Sequence, residues 1–269
     1  MIVAEPAAPV LYTEALSRGG VRLAELRALA KVWRPGESVV AFTERIRHDD
    51  VLGKATARTV QDYVRAFGFR FTTPTDRAAR HLQRLTAPGV PRQVFDDVAW
   101  HYVAANDHLL RDFAVLAVWP AARDGRLSIS IDDARRFIGE AEADGRIPKR
   151  WSEGVRKDMP ARILNALSEF GLLGELKAGK RAIQSYRPAD GTIAYLAYLL
   201  HGDGVSDAAL AENCAWAPYG LEPLDVWHRL EGLAADGWLI LQRAGQVARI
   251  TWTRGSVEEV IDALARRDV

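Results

Sequence analysis

The sequence predicts a mainly α-helical protein with small β-hairpins, and three observations lead there. Apolar residues recur at helical spacing through most of the first half. Glycine- and proline-marked loops separate those stretches. In the second half a helix running into a hairpin occurs twice. The 269 residues suffice for one large domain or two to three small ones. With 48% hydrophobic and 26% charged residues, the chain has ordinary globular composition.

In order along the chain, Thr13 to Trp33 places Leu16, Leu23, Leu26, Leu29, Ala30 and Trp33 at helical spacing, interrupted by Gly19-Gly20. Pro35-Gly36 punctuates, and Ser38 to Arg47 forms a second helix. A third runs from Thr56 or Ala57 to Phe67, with Val60, Tyr63, Val64 and Phe67 inward. Pro74, Pro88–Pro91 and Arg123-Asp124-Gly125 mark loops. Between them Val94–Tyr102 and His108–Trp119 form the apolar centre of a helical bundle. Ser130 with Asp132 and Asp133 starts a helix that reaches Glu142. Ser152 caps the next one, in which Pro160 must kink or restart the chain.

Ile163–Tyr186 (ILNALSEFGLLGELKAGKRAIQSY) and Arg229–Trp252 (RLEGLAADGWLILQRAGQVARITW) align without a gap at an offset of 66 residues. Seven positions are identical, among them Leu167/Leu233, Gly171/Gly237, Leu173/Leu239 and Gly179/Gly245. Each copy reads as an amphipathic helix ended by glycine, then a strand, a two-residue Ala-Gly turn and a return strand. That order is the back half of a winged helix. The expected architecture is therefore an N-terminal helical bundle (1–105), a basic winged-helix-like unit (106–188) and an acidic second one (189–269). The last ends in a helix capped by Ser256.

Net charge is only +1, but it is unevenly spread. Arg18–Arg70 holds eleven Lys/Arg against six Asp/Glu, and Arg146–Arg187 ten against four. Pro188–Val269 holds six against twelve. Basic segments in an otherwise acidic chain suit a surface that meets a polyanion. Lys149, Arg150, Ser152, Arg156 and Lys157 surround the start of the first copy's helix, the part that approaches bases in a winged helix. Lys177, Lys180 and Arg181 lie around its hairpin tip, where a wing touches backbone. Lys54, Arg58 and Arg65 make a second candidate on the third helix, helped by Thr56 or Thr59. The competing account of that element is an exposed face paired with Glu44, Asp49 and Asp50.

Other chemistries lack their residues. No nucleotide-binding glycine loop, HExxH or Gly-x-Ser-x-Gly occurs. His101 and His108, with Asp107 and Asp112 near them, would need a further ligand from elsewhere, so no metal or other cofactor is expected. The single cysteine, Cys214, reads as a buried thiol rather than a nucleophile, and the tryptophans as core. No apolar run approaches the ~20 residues of a membrane span, and the start lacks a basic signal region. A cytoplasmic protein is expected.

Several stretches resemble the BrxA family of BREX (bacteriophage exclusion) phage-defence systems. They are YTEALSRGGVRLAELRALA (Tyr12–Ala30), DDVLGKATARTVQDYVRAFGFRF (Asp49–Phe71), HLLRDFAVLAVWPAARDGRLSISIDDARRFI (His108–Ile138), Trp151–Leu173 and Gly237–Trp252. The likeness spans about Tyr12 to Ile261 and rests on structural rather than catalytic motifs. It implies a non-catalytic cytoplasmic accessory protein that binds double-stranded DNA with little sequence preference. Such a protein works beside a methyltransferase, an ATPase and a phosphatase-like component. The acidic C-terminal module departs from a uniformly basic DNA binder. Two alternatives stay open: a scaffold that docks other defence proteins, and a sequence-specific winged-helix regulator. Oligomeric state is not legible.

Overall fold

A computed structural model of the chain describes residues 10–17, 20–53, 56–244 and 247–266. It is mainly α-helical with small antiparallel hairpins, as expected. Twelve α-helices and five short strands are present among the described residues. They fall into two compact units, residues 1–21 with 104–184, and residues 22–103 with 185–269. The chain passes between the units after residues 21, 103 and 184.

In the unit of residues 104–184, α6 (His108–Phe113) runs through a π-helical turn, Ala114–Val118, into α7 (Trp119–Arg123). Then come β1 (Ser128–Ser130), α8 (Ile131–Ala143), α9 (Glu153–Glu169), β2 (Leu173–Lys177) and β3 (Lys180–Ile183). The strands form one antiparallel sheet in the order β1-β3-β2. Ser130 caps α8 in a reciprocal box with Asp133, and the Ser130 N–H and hydroxyl and Arg126 bond the Asp133 carboxylate. These donors outweigh burial and hold that carboxyl at about 2. Leu110, Phe113, Ile129, Phe137, Ile163 and Leu167 fill the core. Tyr12 ties the N-terminal segment to it. Its hydroxyl donates to Asp112 Oδ2 (2.8 Å) and accepts from Arg146 Nη1 (2.7 Å).

The other unit begins with α1 (Leu23–Val32), α2 (Val39–His48), α3 (Ala57–Phe71), α4 (Arg77–Arg84) and α5 (Arg92–Asn106, which ends in the neighbouring unit). Ser38 and Thr56 cap α2 and α3 by accepting from Ala41 N and Thr59 N. The unit resumes with α10 (Asp190–Gly202), a 3-10 turn (Cys214–Tyr219), α11 (Pro223–Ala235), β4 (Leu239–Ala244), β5 (Val247–Trp252) and α12 (Val257–Arg266). Six of the eight tryptophans are buried, consistent with their reading as core.

Asp97 of α5 organises this second unit. It is buried, and its carboxylate accepts from the Tyr186 hydroxyl (2.6 Å), the Ala189 N–H (2.9 Å) and the Thr192 hydroxyl (2.8 Å). Tyr219 donates to its backbone carbonyl at 2.8 Å. One side chain thus links α5 to the start of α10, and the same residue's backbone holds the 3-10 turn.

His81 of α4 is buried as well. Its Nδ1 lies 2.6 Å from the Tyr195 hydroxyl and 3.0 Å from that of Tyr102, and its Nε2 lies 3.2 Å from Glu258. Burial pushes the imidazolium below its usual 6.5, against the pull of Glu258. Below about pH 6.5 the unfolded chain therefore binds a proton that the folded one resists, and stability falls as pH drops. Melting temperature should decline between about pH 7 and pH 5, and His81→Gln should flatten that decline. Superimposable pH profiles for parent and variant would remove His81 from the account.

The repeat survives as geometry. Both helices end in the same motif: Leu172 N–H to Leu167 carbonyl and Trp238 N–H to Leu233 carbonyl, each 2.9 Å. Gly171 at φ 77° and Gly237 at φ 74° occupy the left-handed position between them.

Several expectations need correction. The Thr13–Trp33 run is a 3-10 turn (Ala15–Ser17) followed by α1, because Gly20 adopts φ 56° and breaks it. Helix α9 continues through Pro160 without restarting. Pro160 sits mid-helix and cannot donate to the Arg156 carbonyl, while buried neighbours Met159 and Ile163 anchor the segment. Cys214 is exposed rather than buried, because it opens a surface 3-10 turn whose apolar anchor is Trp216. The Ala244-Gly245 turn read for the second hairpin lies partly outside the described residues; Ala244 pairs with Val247 where β4 meets β5. β4 and β5 keep unbroken register, whereas β2 carries an irregularity between Leu173 and Leu176.

In the first hairpin Ala178 and Gly179 have φ 49° and 75°, so both central residues are left-handed, as the favoured two-residue turn requires. Alanine is strained there. Ala178→Gly should stabilise the unit by about 0.5–1 kcal/mol, read as a higher melting temperature. A lower one would show that the turn does not hold this conformation in solution.

Candidate nucleic-acid interface

The first copy's residues all lie in the unit of residues 104–184. Ser152 caps α9 by accepting from Val155 N–H at 3.3 Å, so its hydroxyl serves the helix start as expected. Lys149 and Arg150 are exposed just before that start, and Arg156 and Lys157 are exposed in the first turns. Lys177 and Lys180 are cross-strand partners flanking the hairpin turn, both exposed. Among the described residues Lys149, Arg150, Lys157, Lys177 and Lys180 form no ion pair. Arg156 differs, because it pairs with Glu142 of α8 at 3.0 Å.

Arg181 differs more. Its Nη2 donates to Asn165 Oδ1 (2.6 Å), and its Nη1 to Ser168 Oγ (3.0 Å) and the Gly174 carbonyl (2.8 Å). The guanidinium faces α9 and β2 and is half-buried. Three of its five N–H donors are thus committed inside the unit.

The second candidate element lies in the other unit. Lys54 falls outside the described residues. Arg58 and Arg65 are exposed on α3, and Arg58 pairs with Asp62 at 3.5 Å. That partner is on its own helix, not Glu44, Asp49 or Asp50. Thr56 spends its hydroxyl on the α3 cap and on Thr59 Oγ1 at 2.8 Å.

Among the described residues the second copy's hairpin carries two exposed cations, Arg243 and Arg249. Arg243 of β4 lies over the Trp227 ring at 5.0 Å and 3.5 Å from Glu231 of α11. Exposed apolar side chains stand on both copies, Leu224 on α11 and Ile240 on β4 here and Leu176 on β2 of the first. Among the described residues no group of His, Cys, Asp and Glu could hold a metal ion.

Sequence reasoning missed β1. The alternation in Leu127-Ser128-Ile129-Ser130 was its signal, with buried Ile129 on one face and the serines on the other. It also missed the Asn165 and Ser168 partners of Arg181, which sit within one helical turn of each other on α9.

A mainly helical protein with one cation-tipped, hairpin-bearing unit is the class these features define. Among the described residues no helix is long and apolar enough to cross a membrane. The chain belongs to the BrxA family, whose model matches residues 11–198. That membership makes it a protein of BREX phage defence. The match ends before the second helix-hairpin copy. No curated protein matches the chain significantly. Among solved structures it is similar to an uncharacterized protein from Magnetospirillum magneticum. The TM-score is 0.55 at 18% identity, covering 72% of this chain and 93% of the other. At that identity the likeness concerns the fold.

Proposed function

We propose that this chain is a non-catalytic accessory protein of a cytoplasmic BREX system that binds the phosphate backbone of double-stranded DNA with little sequence preference. One observation carries the reading. The unit of residues 104–184 has the helix–strand–helix–helix–strand–strand order and a β1-β3-β2 sheet, an arrangement that supports the winged-helix reading. The start of its α9 and its hairpin tip both carry exposed cations without ion-pair partners among the described residues. In this reading α9 lies against the major groove and Lys177 and Lys180 reach the adjacent backbone. Lys149, Arg150 and Lys157 position the helix start, with Arg156 shared between Glu142 and phosphate. Arg58 and Arg65 of α3 extend the contact at most weakly.

A second reading is favoured for the C-terminal copy. Its acidic balance and its exposed Leu224 and Ile240 suit docking of another BREX component better than DNA.

The test is fluorescence anisotropy with two unrelated duplexes of equal length, at several salt concentrations. Equal, steeply salt-dependent binding supports the proposal. Strong preference for one duplex would replace it with a sequence-specific regulator, and no binding at low salt would replace it with a scaffold.

A further inference from the structure

We infer that Arg181 is a positioning residue that locks the hairpin onto α9, rather than one of the cations that meet phosphate. The inference rests on the DNA-binding reading above and assigns Arg181 a different part in it.

The guanidinium makes three hydrogen bonds, and they run to two elements. Asn165 and Ser168 belong to α9, and Gly174 to β2. Ser168 closes the set by donating its own hydroxyl to the Gly174 carbonyl at 3.1 Å. Gly174 lies in the irregular stretch of β2, between the Leu173↔Ile183 and Leu176↔Arg181 pairs. An irregularity of that kind locally disrupts the ladder, and there the Gly174 carbonyl accepts from the Arg181 guanidinium. A planar guanidinium held by three acceptors has little freedom to turn outward.

The second copy gives an independent observation. At an offset of 66 residues, Asn165 corresponds to Glu231, Ser168 to Ala234 and Arg181 to Val247. The first lock is thus absent there by composition. Yet Arg243, from the opposite strand of that hairpin, reaches Glu231 at 3.5 Å and packs over Trp227. Each hairpin therefore sends an arginine to the same position on its preceding helix, from different strands. What the two copies share is the hairpin-to-helix tie.

Fixing that angle matters to a backbone reader because Lys177 and Lys180 are placed by the hairpin, while Lys149, Arg150 and Lys157 are placed by α9. A loose hairpin lets the two groups of cations bind without a common geometry, and the ordering is then charged to affinity.

The experiment compares Arg181→Gln, Asn165→Ala and Lys180→Gln in the full chain by anisotropy across a salt series, with melting curves alongside. Arg181→Gln should weaken binding about fivefold or more, yet leave the slope of log K against log salt within about 0.3 of the parent. Asn165→Ala, which leaves every cation in place, should weaken binding in the same direction. Lys180→Gln should lower the slope by about 0.9, the signature of a lost phosphate contact. Combining Arg181→Gln with Lys180→Gln should cost less than the sum of the two, because an unlocked wing no longer presents Lys180. A merely structural arginine would lower the melting temperature without changing affinity well below the melt. That result overturns the inference, and so does a slope loss near 0.9 for Arg181→Gln. If Lys180→Gln and the parent are indistinguishable, the DNA-binding site itself is wrong, which is a separate failure.

Discussion

Replacing Lys157, Lys177 and Lys180 together by glutamate is expected to weaken duplex binding at least a hundredfold at about 100 mM salt. Three lost phosphate contacts should reduce the salt slope by about 2.7, and the introduced negative charges repel DNA further. The structure determines this choice of residues. All three are exposed and none forms an ion pair among the described residues, so the fold loses nothing measurable. Lys177 and Lys180 face each other across the hairpin, and two glutamates there merely exchange one like-charge pair for another. Arg156 would be a poorer target, because reversing it places two carboxylates against each other at Glu142. An unchanged affinity with an unchanged melting temperature would exclude the hairpin and the α9 start as the DNA surface.

The second large effect is on stability. Asp97→Ala should cost about 3–5 kcal/mol, because it strands the Tyr186 hydroxyl, the Ala189 N–H and the Thr192 hydroxyl and leaves a void. For a chain of this size that corresponds to a fall of roughly 10 °C or more in melting temperature. Asp97→Asn keeps the volume but turns amide hydrogens toward groups that are themselves donors, so it should recover only part of the loss. A drop of less than about 2 °C for Asp97→Ala would mean that solvent or another acceptor replaces the carboxylate. The tyrosine hydroxyls around it agree with a shared acceptor. Burial and the neighbouring Asp97 carboxylate both push Tyr186 well above its ordinary value.

Local signals explain why so much of the helical half was legible. Ser38, Thr56, Ser130, Ser152 and Ser256 are all helix caps in the structure, since capping needs only a short polar side chain next to a periodic apolar run. The two Gly-terminated helices were legible for the same reason, as a left-handed residue is needed where each one stops. The register of the strands was not. It depends on cross-strand pairing, and the two matching copies differ in it: β4 and β5 pair without a break, while β2 shifts between Leu173 and Leu176.

By itself the sequence determined the helical character, the caps, the duplicated helix-hairpin plan, the family and the cations that crowd one stretch of chain. All of these depend on residues close together in sequence or on composition. Only the tertiary structure decided which of those cations are available. Arg156 was drawn to Glu142, and Arg181 was turned inward to Asn165, Ser168 and Gly174, while Lys149, Lys157, Lys177 and Lys180 were left without ion pairs among the described residues. It also decided that β1 joins β3, and that Asp97, in a stretch that reads as apolar, gathers partners some 90 residues away. The reason is physical: whether a charge is spent or free depends on which groups the fold brings within hydrogen-bonding distance, and that pairing is non-local.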